Sequence, residues 1–113
     1  MVTIDGGIVL EVLGAISLRL SRAAKLLALI LDPAAEQGVR FHQLVNILRR
    51  LGFEARRVRG SHHVMLRAGV AEIVSLQPRR DGTAKPYQVR QVRRLILKYG
   101  LHLALDRDEA DDD

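Results

Sequence analysis

The sequence predicts an α+β fold in which a three-stranded antiparallel sheet carries helices on one face. Apolar residues recur at intervals of three and four over residues 41–51 and again over 89–99, which is typical of amphipathic helices. Between these segments lie three short runs that contain valine, isoleucine or phenylalanine and are separated by glycine-containing turns, which indicates strands. The predicted order from residue 42 onwards is therefore α-β-β-β-α.

The composition supports one small globular domain and excludes several kinds of site. The chain has 113 residues, of which 48% are apolar and 27% are charged, a balance found in folded domains. Cysteine is absent, which rules out disulfides, thiolate zinc sites and cysteine nucleophiles. Charged residues interrupt the long apolar stretches and no basic segment precedes the first one, so we expect neither a membrane span nor a secretory signal. The expected location is the cytoplasm.

The first 38 residues are predicted to form an N-terminal extension with one extra helix. Residues 1–20 hold two apolar clusters around three glycines, a pattern that fits a short helix, a strand or an unstructured leader, and that could also mediate a homo-oligomer. Helical spacing begins after Ser21, a candidate N-cap, and predicts a helix over about 21–32. Proline disfavours the α conformation in the residue before it, so Asp32-Pro33 ends this helix.

The main domain is predicted to span residues 39–101. Its first helix covers 41–51 and ends at Gly52, which suits a left-handed C-terminal cap. Tight turns join the three predicted strands, which cover residues 53–59, 62–67 and 71–77. Pro86 is tolerated in the first turn of a helix and begins the last one, which Gly100 ends.

Basic residues are concentrated in this domain. Between Arg40 and Lys98 there are fourteen arginine or lysine residues against three acids, a net charge of +11. Residues 106–113 carry six acids against one arginine, so residues 102–113 are predicted to be an acidic tail. Fifteen of the eighteen basic residues are arginine, whose planar guanidinium suits two-point contact with phosphate. The charge alone fits an anionic polymer as partner about as well as it fits an ordinary solvated surface.

One motif at the predicted turn between the first two strands could carry acid–base chemistry. Gly60-Ser61-His62-His63 follows Arg56, Arg57 and Arg59. RNA cleavage needs a base for the ribose 2′-proton, an acid for the leaving oxygen and positive charge at the phosphate. Imidazole can give or take a proton near neutrality, and the arginines supply the positive charge. A histidine pair next to Gly-Ser more often belongs to a polar turn without a catalytic role than to an active site. A metal site fits less well, because the two histidines point to opposite faces of a strand and no third ligand lies at a usable spacing.

Several segments of the main domain together resemble the HicA toxins of bacterial and archaeal toxin–antitoxin pairs. Over roughly Val39 to Leu101 they are, in order, Phe41-His42-Gln43-Leu44, Leu51-Gly52-Phe53-Glu54, Arg59-Gly60-Ser61-His62-His63, Ser75-Leu76-Gln77-Pro78 and Ala84-Lys85-Pro86-Tyr87-Gln88-Val89-Arg90-Gln91-Val92-Arg93. Small HicA proteins lack a counterpart of residues 1–38 and have a Gly-Thr-containing segment where this chain has Lys85-Pro86-Tyr87-Gln88. The chain therefore resembles a longer branch of the family with an N-terminal extension, and the acidic tail lies outside the pattern.

The resemblance implies a small ribonuclease with the double-stranded-RNA-binding fold, an architecture that the α-β-β-β-α order also fits. Such a toxin cleaves messenger RNA, arrests growth and is neutralised by a HicB antitoxin encoded beside it. By the same resemblance, His62 is the catalytic histidine, Gly60 and Ser61 form the turn that presents it, and neither a metal nor an organic cofactor is expected.

The alternation of side chains along a strand places the two histidines on opposite faces of the sheet. Alternation groups His62 with Val64 and Leu66, and His63 with Met65. If Val64 and Leu66 face the helices, His62 borders the core and His63 lies on the open face, which would favour His63. We nevertheless assign catalysis to His62, because the first residue of a strand can depart from the alternation and because partial burial could orient its ring. His63 is predicted to be a supporting or structural residue.

The remaining candidates are residues that could hold the RNA, namely Arg57, Arg59, Lys85, Tyr87, Arg90 and Arg94. Lys85 is the preferred phosphate contact, because it precedes a helix N-terminus, where anions are favoured. Arg90 and Arg94 lie on a basic ridge of the last helix that fits phosphate contacts about as well as a solvated face. Tyr87 could stack on a base or simply pack against the protein.

Two other functions stay open at this point. One is an RNA-binding module that has lost cleavage, and the other is an interaction protein whose basic face receives an acidic HicB-type partner. The acidic tail is either a solubilising terminus or a competitor of RNA for the arginines.

Overall fold

The computed structural model describes residues 22–103. Its elements are helix α1 (Arg22–Leu31), a 3₁₀ helix (Pro33–Gly38), helix α2 (Phe41–Arg50), strands β1 (Glu54–Arg59), β2 (His62–Leu66) and β3 (Val74–Leu76), and helix α3 (Pro86–Tyr99). The sheet is antiparallel with the order β1-β2-β3, which confirms the predicted α+β fold. The predictions for residues 1–20, for the cap at Ser21, for a homo-oligomer through the N-terminal segment and for the acids beyond residue 103 lie outside the described residues.

Helices α2 and α3 pack on the sheet because their apolar stripes meet apolar side chains of β2 and β3. The fully buried residues include Leu44, Ile47 and Leu48 of α2, Val89, Val92 and Ile96 of α3, and Met65, Val74 and Leu76 of the sheet. Burying one such aliphatic side chain contributes about 1.5–3 kcal/mol. Helix α1 adds Ala23, Leu27 and Ile30 to the same cluster, so the extra N-terminal helix packs onto this core.

The two faces of β2 are the reverse of the expectation. Met65 is fully buried and pairs with Val74, which is also fully buried, so Met65 faces the helices. Val64 and Leu66 are half-buried and belong to the opposite, open face. The premise that Val64 and Leu66 face the helices, and the consequence that His62 borders the core, are therefore wrong. The pairing with β3 sets the faces, because a strand register fixes which side chains share a face with buried neighbours.

Strand β3 is shorter than the predicted run 71–77, because the residues before it are tied to α3. The N–H of Ala71 donates to the hydroxyl of Tyr99 at 3.3 Å. The carboxylate of Glu72 accepts from that hydroxyl at 2.6 Å and from Nζ of Lys98 at 2.7 Å. These bonds hold the loop between β2 and β3 against the end of α3.

The chain segments that precede α2 and α3 lie side by side. The N–H of Ala84 donates to the carbonyl of Val39 at 2.9 Å, and the N–H of Phe41 donates to the carbonyl of Gly82 at 3.0 Å. Both Val39 and Ala84 are fully buried. The first turns of the two helices are therefore held next to each other.

Helix α2 ends at Arg50, one residue before the predicted end, and Gly52 and Arg67 close it. Gly52 has φ of +98°, which favours glycine, and a Cβ there would lie 3.1 Å from Nε of Arg67. That Nε donates to the carbonyl of Leu51 at 2.7 Å, which satisfies one of the carbonyls that a helix leaves without an internal partner.

Candidate functional site

The turn between β1 and β2 places the motif residues at one end of the sheet. Gly60 has φ of +58°, a left-handed conformation that glycine adopts without strain. Arg59, the last residue of β1, pairs with His62, the first residue of β2. The end of β3 lies beside them, because His63 pairs with Leu76.

The first turn of α3 lies at the same end. The buried side chain of Gln88 makes two contacts with the end of β3: its Oε1 accepts from the N–H of Gln77 and its Nε2 donates to the carbonyl of Ser75, each at 3.4 Å. Lys85 is the N-cap residue of this helix, and the first turn contains no acidic residue. Tyr87 is 57% exposed. Lys85 and Tyr87 therefore lie at the same end of the sheet as the motif, and the helix dipole adds partial positive charge at that end.

A β-bulge turns two arginines towards the face of His62. The register of β1 shifts between Ala55 and Arg57, so that Arg57 pairs with Val64 and Arg59 pairs with His62. Directly paired side chains share a face and have Cβ atoms about 4.5–5.5 Å apart. His62, Arg57 and Arg59 are all exposed. The open face therefore carries the imidazole of His62 beside two guanidinium groups.

His63 lies on the other face of β2, towards the helices. Its ring packs edge-on against Phe41, with 5.2 Å between the ring centroids and an angle of 61° between the ring planes. Its Nδ1 lies 3.2 Å from the carbonyl oxygen of Ser61. The two histidines are thus separated: His62 is exposed on the open face, and His63 is half-buried against α2.

The basic ridge predicted on α3 is partly occupied by ion pairs. Arg90 binds Glu36 of the 3₁₀ helix at 2.6 Å, and Arg93 binds the same carboxylate at 2.7 Å. Nε of Arg93 also donates to the carbonyl of Ile30 at 3.2 Å, and its side chain is only 12% exposed. Arg94 is exposed. The N-terminal extension therefore neutralises part of the positive charge of the basic ridge on α3.

The loop between β3 and α3 lies beside Arg40, the residue before α2, because Arg40 forms an isolated β-bridge with Thr83. Asp81 accepts from the hydroxyl of Thr83 at 2.6 Å and from its N–H at 2.9 Å, and these bonds hold the pKa of Asp81 below its ordinary value. The charges of Arg79 and Arg40 lower the pKa of Asp81 further. The loop thus brings together two arginines that are distant in sequence.

The structure adds residues that the sequence did not single out. These are Phe41, Gln88 and Glu36, which contact His63, Ser75 and Arg93 respectively. Each contact joins residues that are far apart in the chain, and no local sequence pattern indicates such contacts. In residues 22–103, no group of three or more histidine, aspartate or glutamate side chains could hold a metal ion.

Comparison with known families identifies the main domain. The family model for the HicA toxin of bacterial toxin–antitoxin systems matches residues 41–99, just over half of the chain. The match covers α2, the three strands and α3, and it includes the Gly60–His63 motif. Neither a curated protein nor a solved structure matches the chain.

Proposed function

Because the chain belongs to the HicA toxin family, we propose that it is an endoribonuclease that cleaves messenger RNA with His62 as general acid–base and without a metal ion. The family consists of RNA-cleaving toxins that pair with an antitoxin. The messenger RNA substrate, a HicB-type antitoxin, the cytoplasmic location and the role of His62 are the specific parts of the proposal. None of the helices in residues 22–103 is long and apolar enough to cross a membrane.

The observation that supports this function is the placement of His62 opposite Arg59 on an exposed face that also holds Arg57. RNA can be cleaved by its own ribose 2′-oxygen, which attacks the adjacent phosphorus while the bond to the 5′-oxygen breaks. This step needs no outside reactant: the 2′-proton leaves, the 5′-oxygen gains a proton, and a 2′,3′-cyclic phosphate forms. One imidazole can take the first proton, and in its protonated form it can supply the second.

The two arginines supply the electrostatic part of the reaction. Negative charge grows on the non-bridging phosphate oxygens as the 2′-oxygen attacks, and fixed guanidinium donors stabilise that charge. Arg59 is paired directly with His62, and Arg57 lies on the same face of the same strand. Both would therefore contact the scissile phosphate or the one next to it.

The rest of the RNA would follow the end of the sheet onto α3. Lys85 and the first turn of α3 would hold a neighbouring phosphate, and exposed Tyr87 would stack on an unpaired base. Arg94 is available for a further phosphate. Arg90 would contribute only where RNA displaces Glu36 from it.

The test compares purified wild-type protein with His62→Ala on a labelled messenger RNA fragment in the presence of a metal chelator. We expect the wild type to produce fragments that end in a 2′,3′-cyclic phosphate and the variant to lose activity by roughly 100-fold or more, the range typical of an acid–base group. His42→Ala removes another exposed histidine, on α2, and should cleave at the wild-type rate.

Each other outcome contradicts a stated part of the proposal. Equal cleavage by wild type and His62→Ala would remove His62 from the reaction, and loss of wild-type cleavage in the chelator would contradict metal independence. Saturable, salt-sensitive binding with no product would identify a non-catalytic RNA-binding module. Salt-resistant association with an acidic HicB-type protein, without RNA affinity, would identify an interaction protein.

A further inference from the structure

The side chain of His63 connects two parts of the site that the proposed reaction leaves unexplained, the Gly60-Ser61 turn and the start of α2. We infer that His63 is a positioning residue, which donates Nδ1–H to the carbonyl of Ser61 and thereby fixes the peptide on which His62 is mounted. The inference rests on the proposed function of His62.

The hydrogen bond defines the protonation of the His63 ring. Nδ1 lies 3.2 Å from the carbonyl oxygen of Ser61, and a carbonyl oxygen can only accept. Nδ1 must therefore carry the proton, so the neutral ring is the Nδ1–H tautomer.

The position of the ring is set by the backbone of β2 and by a contact with α2. His63 pairs with Val58 of β1 and with Leu76 of β3, so its backbone is in the central strand of the sheet. Phe41, the first residue of α2, packs edge-on against the ring at 5.2 Å between centroids. The donor atom is thus fixed relative to both the sheet and the helix.

The acceptor of this hydrogen bond, the carbonyl of Ser61, lies in an exposed turn. Gly60 and Ser61 are both exposed, and glycine is the residue whose backbone is least restricted. The carbonyl of Ser61 belongs to the peptide group whose nitrogen is that of His62. Holding this carbonyl sets the orientation of the backbone from which the His62 side chain projects, and acid–base transfer depends strongly on such orientation.

Three substitutions separate hydrogen bonding from packing. His63→Asn places an amide N–H at the same number of bonds from Cα as Nδ1, so it can still reach the carbonyl of Ser61. His63→Gln moves that donor one bond further out, and His63→Leu keeps an apolar contact with Phe41 but has no donor. Full-length variants would be compared for kcat and KM on the RNA fragment and for thermal unfolding by circular dichroism.

We expect His63→Asn to stay within about threefold of the wild-type kcat, and His63→Leu and His63→Gln to lose about tenfold with KM little changed, as for the loss of one neutral hydrogen bond. A role in packing alone predicts the opposite order, with His63→Leu most active. That order, or equal activity of all three variants, would overturn the inference. If His63→Leu fails to fold, the comparison of His63→Asn with His63→Gln still tests the inference.

A second measurement does not depend on catalysis. In long-range ¹H–¹⁵N spectra of the full-length protein, we expect the neutral His63 ring to carry its proton on Nδ1. An Nε2–H tautomer would overturn the inference even in an active enzyme. Conversely, an inactive wild type or an active His62→Ala would reject the proposed function while the spectrum still reported on the contact between His63 and Ser61.

Discussion

The pKa of Glu72 is set by its hydrogen bonds to the end of α3. Its carboxylate accepts hydrogen bonds from Lys98 and from Tyr99, and the bond from Lys98 is the larger cause of its low pKa. The pKa of Glu72 falls from the ordinary 4.5 to about 2, and the same contact raises the pKa of Lys98. The contact ties the loop before β3 to the end of α3.

This shift predicts a pH-dependent contribution to stability. Because the pKa of Glu72 is lower in the folded state, its contribution is complete above the unfolded value of 4.5 and is lost as the pH falls towards 2. Glu72→Gln should therefore lower the free energy of unfolding at pH 7, and its difference from wild type should shrink between pH 4.5 and about 2. Urea denaturation followed by circular dichroism over this range measures the difference.

The control for this prediction is Glu54→Gln, which removes an exposed carboxylate at the start of β1. It should show no comparable loss at pH 7. If the difference between Glu72→Gln and wild type were the same at every pH, the charge of Glu72 would not be what stabilises the loop.

At the scale of elements, the sequence was sufficient for the order of helices and strands but not for the faces of β2. Helical periodicity and the glycine turns are local properties, and they predicted α2, α3 and the meander. Val64 and Leu66 are apolar, so local alternation favoured their burial over that of Met65. The structure buries Met65 because of its pairing with Val74, and such pairing joins distant residues that no local pattern specifies.

The same limit applied to the arginines beside His62. The sequence showed that Arg57 and Arg59 are near the motif, but the bulge after Ala55 determines that both face the same way as His62. A bulge adds one residue to one strand without a fixed sequence signature. The sequence therefore identified the candidate residues and the structure supplied their common face.

The 3₁₀ helix of the N-terminal extension acts on the charge of α3. Its Glu36 binds Arg90 and Arg93, and both Glu36 and Arg93 are largely buried, with 13% and 12% of their side chains exposed. The extension lies before the matched region 41–99. It therefore adds to the family domain a carboxylate that competes with any phosphate for two guanidinium groups.

Glu36→Gln should release this competition. If RNA crosses α3, the plot of log affinity against log salt should become steeper by up to about 1.4, since each new phosphate contact on a single strand adds about 0.7. Fluorescence anisotropy with labelled RNA measures the slope, in a His62→Ala background to prevent cleavage. Glu54→Gln, which also removes one negative charge, controls for net charge, and a slope shared by both variants would place the RNA away from Arg90 and Arg93.

At the scale of the whole molecule, charge is divided between two parts of the chain. The segment from Arg40 to Lys98 carries +11, whereas residues 106–113 carry six acids and one arginine. The same arginines that would bind RNA can attract an acidic segment of the same chain, because a tethered polyanion is present at high local concentration. The alternative is that the acidic residues only improve solubility.

Neutralising the acidic residues distinguishes these roles. All six acids of residues 106–113 are changed to their amides, again in the His62→Ala background. If the tail competes, RNA affinity at low salt should rise by about three- to tenfold, because electrostatic attraction between opposite charges is strong at low salt. The gain should disappear at high salt, where the same charges are screened. Anisotropy titrations at both salt concentrations measure it, and equal affinities at low salt would assign the acidic residues to solubility alone.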